Sequence, residues 1–308
     1  MGSRPQTFNT QQRMKRKTFE VYHYRDETIQ EVPLHHHDFF EIYFFLSGNV
    51  SYNIESRNYL LTPGDILLIS TNELHQPIVN TEKQSYERMV LWISPGFLEQ
   101  FDLPGQKVSR CFDTSRPEHA NLLRPDGATR ELINYLMNML LKEEHSREYG
   151  ADLYAMGCLA QLLVLLNRLQ DRAGRETEPR ENSDSLVYRA LSYINEHYSE
   201  DLSLDFLANK FFISKYHLSR EFNRLVGTSV YRYIIQKRLV MAKQMMAAGM
   251  PSSTVYQHCG FGDYSNFYRA FKAEYQISPR EFQESLRQTA QQQSERARFS
   301  RELFGIDE

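Results

Sequence analysis

The sequence predicts a multi-domain chain in which an all-β barrel and two helices precede an all-α domain. Short strand-like runs separated by glycine and proline turns fill residues 18 to about 112. Two helical patterns lie between Thr129 and Leu169: the second, from Leu153, is apolar on nearly every side, and the first is predicted to bury one face made of Leu132, Ile133, Leu136, Met137, Leu140 and Leu141. After a polar stretch, apolar residues recur at helical spacing from Ser185 to Arg287. The 308 residues are enough for two domains with ordinary cores.

The first part has the sequence features of a small barrel or jelly roll. Turns at Gly48-Asn49 and Pro63-Gly64-Asp65 separate its apolar runs. Strands are predicted at Phe40 to Leu46, Tyr52 to Ile54, Tyr59 to Leu61, Ile66 to Ile69 and Met89 to Ile93. Short antiparallel strands at such close intervals favour a closed or two-sheet architecture.

Histidine and glutamate side chains concentrate near the start of this barrel. The spacing of His35, His37, Glu41 and Gly48, followed by Pro63-Gly64 and later by His75, resembles the two cupin motifs. Strand parity places His35, His37, Glu41 and Tyr43 on one face. This set is consistent with an effector pocket, a structural hydrogen-bond network or a divalent metal site.

We favour the effector pocket, so the sequence predicts neither a resident metal nor a cofactor. Trp92 shares its strand parity with Arg88, and an aromatic plane beside polar groups suits sugar binding, although a core tryptophan is equally common. The predicted effector-binding residues are His35, His37, Glu41, Tyr43, His75, Arg88 and Trp92.

Two helix-turn-helix units are predicted in the all-α part. In one, Ser203 and Ser214 can cap helices and Gly227 can end the second. In the other, Gly260-Phe261 forms a turn and Asp263 caps a helix that buries Phe267 and Phe271. A long helix from Tyr231 to Ala248 connects the units, and Ser278-Pro279 starts a last helix.

This arrangement resembles the AraC/XylS family of transcription regulators from Ser185 to about Arg287. The resemblance rests on the helices SKYHLSREF and GFGDYSNFYRAFK, the connection RLVMAKQMM and the ending ISPREF. It implies a regulator, most often an activator, that binds double-stranded DNA, contacts RNA polymerase and responds to a small molecule such as a carbohydrate. It also implies a homodimer formed through the helices after the sensor domain.

The exposed faces of the two recognition helices supply the predicted DNA contacts. Arg220 and Arg269 are expected to form bidentate contacts with guanine, and Tyr216, Ser219, Tyr264, Ser265 and Asn266 to reach other base edges. Phosphate contacts are expected from Lys215, Arg224, Arg238 and Lys272. Ser252 and Tyr256 stand where the family usually has Ile and Ala, so the second unit is expected to pack less tightly and to read bases less strongly.

Charge and cysteine content agree with an intracellular DNA-binding protein. Between Ser185 and Arg287, 13 Lys and Arg oppose 9 Asp and Glu, whereas the rest of the chain has 23 against 30. Three separate cysteines without a C-x-x-C pair argue against a disulfide scaffold or a zinc site. No signal peptide or membrane span is predicted, and a cytoplasmic location is expected.

The predicted domains are residues 18–171, a linker at 172–184 and a DNA-binding domain at 185–288. Residues 1–17 are polar and basic, which is typical of a disordered tail or of a ligand-dependent arm. No phosphate loop or nucleophile elbow is present, so an enzyme is not expected. The alternative function is a metal-binding cupin, either a metal sensor or a metal-dependent enzyme, fused to a DNA-binding domain.

Overall fold

The computed structural model describes residues 12–27, 32–71, 73–79, 85–103, 105–176, 185–288 and 291. The chain divides into two compact units, Met1–Arg189 and Ala190–Glu308. Helix α3 continues to Glu176, five residues into the predicted linker, and the remainder of that linker lies outside the described residues. Of the predicted N-terminal arm, only residues 12–17 are described.

Two antiparallel sheets form the N-terminal unit. The five-stranded sheet has the order β1-β7-β2-β5-β8, and the three-stranded sheet has the order β4-β3-β6. The strands are β1 (Phe19–Asp26), β2 (Phe40–Ser47), β3 (Val50–Ile54), β4 (Arg57–Leu60), β5 (Ile66–Ile69), β6 (His75–Val79), β7 (Tyr86–Ile93) and β8 (Leu122–Leu123). This sheet-rich architecture confirms the predicted fold class of the first part.

The alternation of side chains along the strands produces two separate cores. One side of the large sheet, including Tyr43 and Trp92, faces the small sheet and forms the barrel interior with Tyr52. The opposite side, including Ile42 and Leu91, packs against helices. These helices are α1 (Pro95–Leu98), α2 (Gly127–Glu143) and α3 (Ala151–Glu176).

The two long helices follow the predicted pattern with one exception. Ile133, Leu136, Met137 and Leu140 of α2 are buried, but Leu132 is exposed because it lies at the edge of the buried stripe. Residues Ala151–Arg172 of α3 have the length and mean hydropathy, 1.2, of a membrane span. However, the buried leucines of α3 lie in the core against the large sheet, which is the position of a core helix in a globular domain.

The C-terminal unit is helical, as predicted. Helix α4 (Leu186–His197), within which the boundary between the units falls, is followed by α5 (Leu204–Lys210), α6 (Lys215–Val226), α7 (Val230–Ala247), α8 (Val255–His258) and α9 (Tyr264–Tyr275). The caps agree with the sequence: Ser203, Ser214 and Asp263 each accept a hydrogen bond from the backbone, and Gly227 adopts a left-handed φ of 66°. A last helix covers residues 279–288.

The turn between α8 and α9 requires glycine at position 260. Gly260 has a φ of +78°, and a Cβ atom there would lie 2.7 Å from the carbonyl oxygen of Ser199. Only glycine combines this backbone conformation with so close an approach to another backbone segment. The turn is therefore fixed against the loop between α4 and α5, and this fixes where α9 begins.

Candidate nucleic-acid interface and barrel-interior site

Helix α6 presents the predicted DNA-contacting side chains on its outer face. Leu218, Phe222 and Val226 are buried on the inner face. The outer face has Lys215, Tyr216, Ser219, Arg220 and Arg224, all of them exposed. The side-chain oxygen of Ser214 accepts a hydrogen bond from the backbone N–H of His217 at 3.2 Å. This serine cap fixes the N-terminal end of α6, where the outer face begins.

The cations of α6 are held by acidic neighbours. Glu221 lies 3.4 Å from the guanidinium of Arg220 and 2.9 Å from that of Arg224. The hydrogen bond from Arg224 lowers the pKa of the Glu221 carboxyl. Lys215 similarly lies 3.0 Å from Asp205. Exposed ion pairs of this kind contribute little to stability, so these pairs oppose the predicted DNA contacts only weakly.

Helix α9 presents the second predicted face. Tyr264, Ser265, Asn266, Arg269 and Lys272 are exposed, and Phe267 and Phe271 are buried beneath them. Asp263 accepts the backbone N–H of Asn266 at 2.7 Å, and the Asn266 side-chain oxygen accepts a hydrogen bond from Arg269 at 2.6 Å. The cap of α9 is therefore linked to the predicted guanine-reading arginine.

Ser252 and Tyr256, the two unusual residues of the second helix-turn-helix unit, lie at its start. Ser252 is buried in a turn, and its N–H donates to Gln283 at 3.1 Å. The ring of Tyr256 contacts the edge of the Tyr264 ring, with centroids 5.8 Å apart. Helix α8 is only four residues long, whereas its counterpart α5 has seven. Tyr256 thus packs onto the recognition helix itself, against a residue predicted to contact bases.

Arg238 differs from the other predicted phosphate ligands. Its guanidinium donates to the carbonyl of Tyr198 at 2.8 Å and to that of Glu200 at 2.7 Å. Burial lowers the pKa of this guanidinium. These two hydrogen bonds to backbone carbonyls of the loop after α4 give Arg238 a structural role, and its phosphate contact stays a prediction.

In the barrel, the structure brings together part of the predicted histidine cluster. His37, Glu41 and His75 are buried, and one potential ligand atom from each lies within 4.8 Å of the others. The indole N–H of Trp92 donates to Glu41 Oε2 at 2.8 Å. His37 Nε2 lies 3.2 Å from the same carboxylate oxygen. The shared strand face that was predicted holds for Glu41 and Tyr43, which lie in β2, but not for His35 and His37, because β2 begins only at Phe40. Trp92 reaches the site from the neighbouring strand β7.

Backbone carbonyls fix the orientation of the imidazole rings. The carbonyl of Phe39 accepts from His37 Nδ1 at 2.9 Å, and that of Glu73 accepts from His75 Nδ1 at 2.8 Å. A carbonyl can only accept, so in both rings Nδ1 has the proton and a neutral ring has its lone pair on Nε2. Burial lowers the pKa of His75 well below its ordinary value and keeps this ring neutral.

His35 lies beside this group without joining it. Its Nδ1 is 2.9 Å from the carbonyl of Pro33, and its ring centroid is 4.3 Å from that of His75. A pair of backbone hydrogen bonds between His35 and His75 holds the two segments together. Burial lowers the pKa of His35 to about 4. The predicted set of three histidines and one glutamate therefore separates into a compact trio and a neighbouring ring.

Arg88 and Tyr43 form a second polar group in the barrel. The Arg88 guanidinium lies 4.1 Å above the ring of Tyr86 and 4.7 Å above that of Tyr24, and it pairs with Asp26. The hydroxyl groups of Tyr43 and Tyr86 hydrogen-bond to each other. Sequence reasoning did not include Tyr86 or Tyr24. Tyr86 lies two residues before Arg88 on the same face of β7, and Tyr24 is brought opposite Arg88 by the pairing of β1 with β7.

Tyr52 is a further interior residue that the sequence prediction missed. Its ring is nearly parallel to that of His75, with centroids 6.3 Å apart. Alternation along the predicted strand from Tyr52 to Ile54 indicates that Tyr52 and Ile54 share a face. The pattern could not indicate that this face meets the histidines, because that contact depends on how β3 pairs with β6.

Comparisons with known proteins agree with both parts of the chain. A family model described as AraC-like ligand binding domain matches residues 19–181, more than half of the chain, and one described as helix-turn-helix domain matches residues 207–285. The HTH-type transcriptional activator RhaS of Enterobacter sp. (strain 638) is 26% identical over 253 residues, covering 82% of this chain and 87% of that protein. RhaS of Escherichia coli O157:H7 is 25% identical over 255 residues, covering 82% and 88%.

Among solved structures, unsaturated fatty acid-bound ToxT from Vibrio cholerae strain SCE256 aligns with a TM-score of 0.39 and 13% identity, covering 88% of this chain and 97% of that one. Overlap this low says nothing about the ligand of the present chain. Both RhaS proteins are named as HTH-type transcriptional activators. The match over residues 19–181, together with the helix-turn-helix match, shows that the chain belongs to the AraC/XylS family of DNA-binding transcriptional regulators.

Proposed function

We propose that this regulator is a transcriptional activator that reads a specific DNA sequence with α6 and α9 and is controlled by a small polar effector, a carbohydrate, in its barrel. The observation that carries the DNA-reading part is the pair of capped helices whose exposed faces combine guanidinium, phenol, hydroxyl and amide groups. Helices of this composition suit the major groove, where two units on one chain can read successive turns.

The assignment as an activator rests on similarity to the RhaS proteins, which are named as HTH-type transcriptional activators. On the same basis we propose RNA polymerase and a second copy of the chain as partners, and the cytoplasm as the location. Tyr135, Tyr154 and Val164 on the outer faces of α2 and α3 are exposed, which supports a dimer formed through these helices.

The carbohydrate effector is supported by the chemistry of the barrel interior. Trp92 and Tyr52 provide aromatic planes, and Glu41, Arg88 and Tyr43 provide donors and acceptors beside them. Sugars present apolar faces and ring hydroxyls, and this mixture matches both features. A thermal-shift series with full-length protein tests the class: a bound sugar raises the melting temperature with concentration, whereas no shift from any sugar would exclude it.

DNA reading is tested by selecting sites from a random pool with the full-length protein and then comparing variants. Arg220→Ala is expected to lose about 1–3 kcal/mol of discrimination at one base position. Lys272→Ala is expected to weaken binding to all sequences alike and to reduce the salt dependence by about one phosphate contact. Arg280→Ala is the matched control, since Arg280 is exposed and pairs with Glu284 outside both recognition helices. Equal weakening on every sequence by Arg220→Ala would contradict the base-reading role.

A further inference from the structure

Three potential metal-ligand atoms converge in the barrel interior. His37, Glu41 and His75 are 3%, 4% and 0% exposed, and one atom from each lies within 4.8 Å of the others. Because both Nδ1 atoms are used by backbone carbonyls, the nitrogens that remain available for a ligand are the two Nε2 atoms. Neither Nε2 has a hydrogen-bond partner among the described residues.

His37 and Glu41 bring a ring nitrogen and a carboxylate oxygen close together without a hydrogen bond between them. His37 Nε2 and Glu41 Oε2 are 3.2 Å apart, yet their geometry is not that of a hydrogen bond. A cation bound here gives the buried Nε2 of His37 a partner, and it also satisfies the buried Nε2 of His75. A buried polar atom without a partner costs free energy, so the two nitrogens favour a bound ion.

The surroundings of the trio hold each donor in place. The carbonyls of Phe39 and Glu73 orient the two imidazoles, and the Trp92 N–H holds the carboxylate of Glu41. The ring of Phe39 stacks on His37 with centroids 3.9 Å apart. Hydrogen bonds from the outer nitrogen of a histidine and to the carboxylate are the contacts that orient metal ligands in proteins.

We propose that His37, Glu41 and His75 together bind one divalent transition-metal ion in the barrel of this regulator. Two imidazoles and one carboxylate suit Zn²⁺ and related ions, and a site with three protein ligands leaves coordination positions open. We further infer that oxygen atoms of the effector occupy those positions. This second step rests on the proposed effector pocket, whereas binding of the ion does not.

The test uses full-length protein stripped of metal with a chelator and then dialysed against Zn²⁺ or Co²⁺. We expect one ion per chain, and visible absorption from bound Co²⁺. His37→Ala, His75→Gln and Glu41→Gln should each lose stoichiometric binding, and Trp92→Phe should weaken binding about 10–100-fold because it removes a contact that orients a ligand. His145→Ala is the matched control, since this histidine is exposed in the turn after α2 and its loss should change nothing.

Two results would overturn the site: no stoichiometric binding of Zn²⁺, Co²⁺, Mn²⁺ or Ni²⁺ by the wild-type protein, or binding that survives in the trio variants and disappears with His145→Ala. Far-ultraviolet circular dichroism checks that each variant is folded, and Glu41→Gln and His75→Gln preserve size where alanine variants unfold. Thermal shifts by sugars with and without the ion separate the two steps. A sugar shift that is unchanged after metal removal refutes anchoring of the effector by the ion, while the measured stoichiometry still decides the site.

Discussion

The turn before α9 offers a prediction whose size follows from the geometry. In Gly260→Ala, the new side chain is forced into a left-handed backbone conformation, which costs about 1–2 kcal/mol. Its Cβ also meets the backbone of Ser199 at 2.7–2.9 Å, and overpacking of this kind costs about 1–3 kcal/mol. We therefore expect the free energy of unfolding of the C-terminal unit to fall by about 2–5 kcal/mol.

Gly262→Ala provides the matched control two residues away. Gly262 does not have a left-handed φ, and a Cβ there would meet no atom within 4 Å. Alanine at this position should leave stability unchanged or raise it by up to about 1 kcal/mol, because it reduces the freedom of the unfolded chain. Both variants replace a glycine by alanine, so a difference in their free energies of unfolding comes from the backbone conformation and the space at each position.

Two optical signals separate the units in this experiment. Circular dichroism at 222 nm follows the helices of both units, including α2 and α3, while fluorescence of Trp92, the single tryptophan, follows the barrel alone. A loss of dichroism that occurs before the Trp92 transition therefore reports the helical unit Ala190–Glu308. For Gly260→Ala we expect the melting temperature of the helical unit to fall by roughly 8 °C or more, with the Trp92 transition unchanged. Equal stability of Gly260→Ala and Gly262→Ala would refute the argument that this turn needs glycine.

Three further predictions concern the same unit. Arg238→Ala should destabilise the C-terminal unit by about 1–3 kcal/mol, because two backbone carbonyls lose their donors. Unlike Lys272→Ala, it should leave the salt dependence of DNA binding unchanged. A weaker salt dependence in Arg238→Ala would instead show that Arg238 contacts a phosphate. Tyr256→Ala should lower the free energy of unfolding by about 0.5–1.5 kcal/mol, because the ring contact with Tyr264 is lost. It should also free Tyr264 and so increase base discrimination by α9, as measured on sites selected from random DNA. Unchanged discrimination would contradict this. The hydrogen bond from the backbone N–H of Ser278 lowers the pKa of Glu281. The ionised Glu281 carboxylate therefore stabilises the fold at neutral pH, and this stabilisation is lost as the pH falls through the lowered pKa. The melting temperature of Glu281→Gln should lack this loss at acid pH, and an equal fall of the melting temperature in both proteins would contradict it.

The helix-turn-helix units could be predicted because their signals are local. A cap such as Ser214 or Asp263 bonds a backbone N–H three residues away, and Phe267 and Phe271 share a face through helical periodicity alone. The same local rule placed Glu41 and Tyr43 on the inner face of β2. It also placed Leu132 with the core of α2, wrongly, since periodicity does not determine how wide the buried stripe is.

By itself, the sequence determined the order of the two parts, the capped helices and which side chains are exposed on α6 and α9, because each of these depends on contacts within a few residues. Only the tertiary structure decided which histidines meet Glu41, since that depends on the pairing of strands far apart in the chain. Long-range packing likewise directed Arg238 to backbone carbonyls and Tyr256 onto Tyr264. Those contacts are formed between elements, and no periodicity within one element encodes its partner.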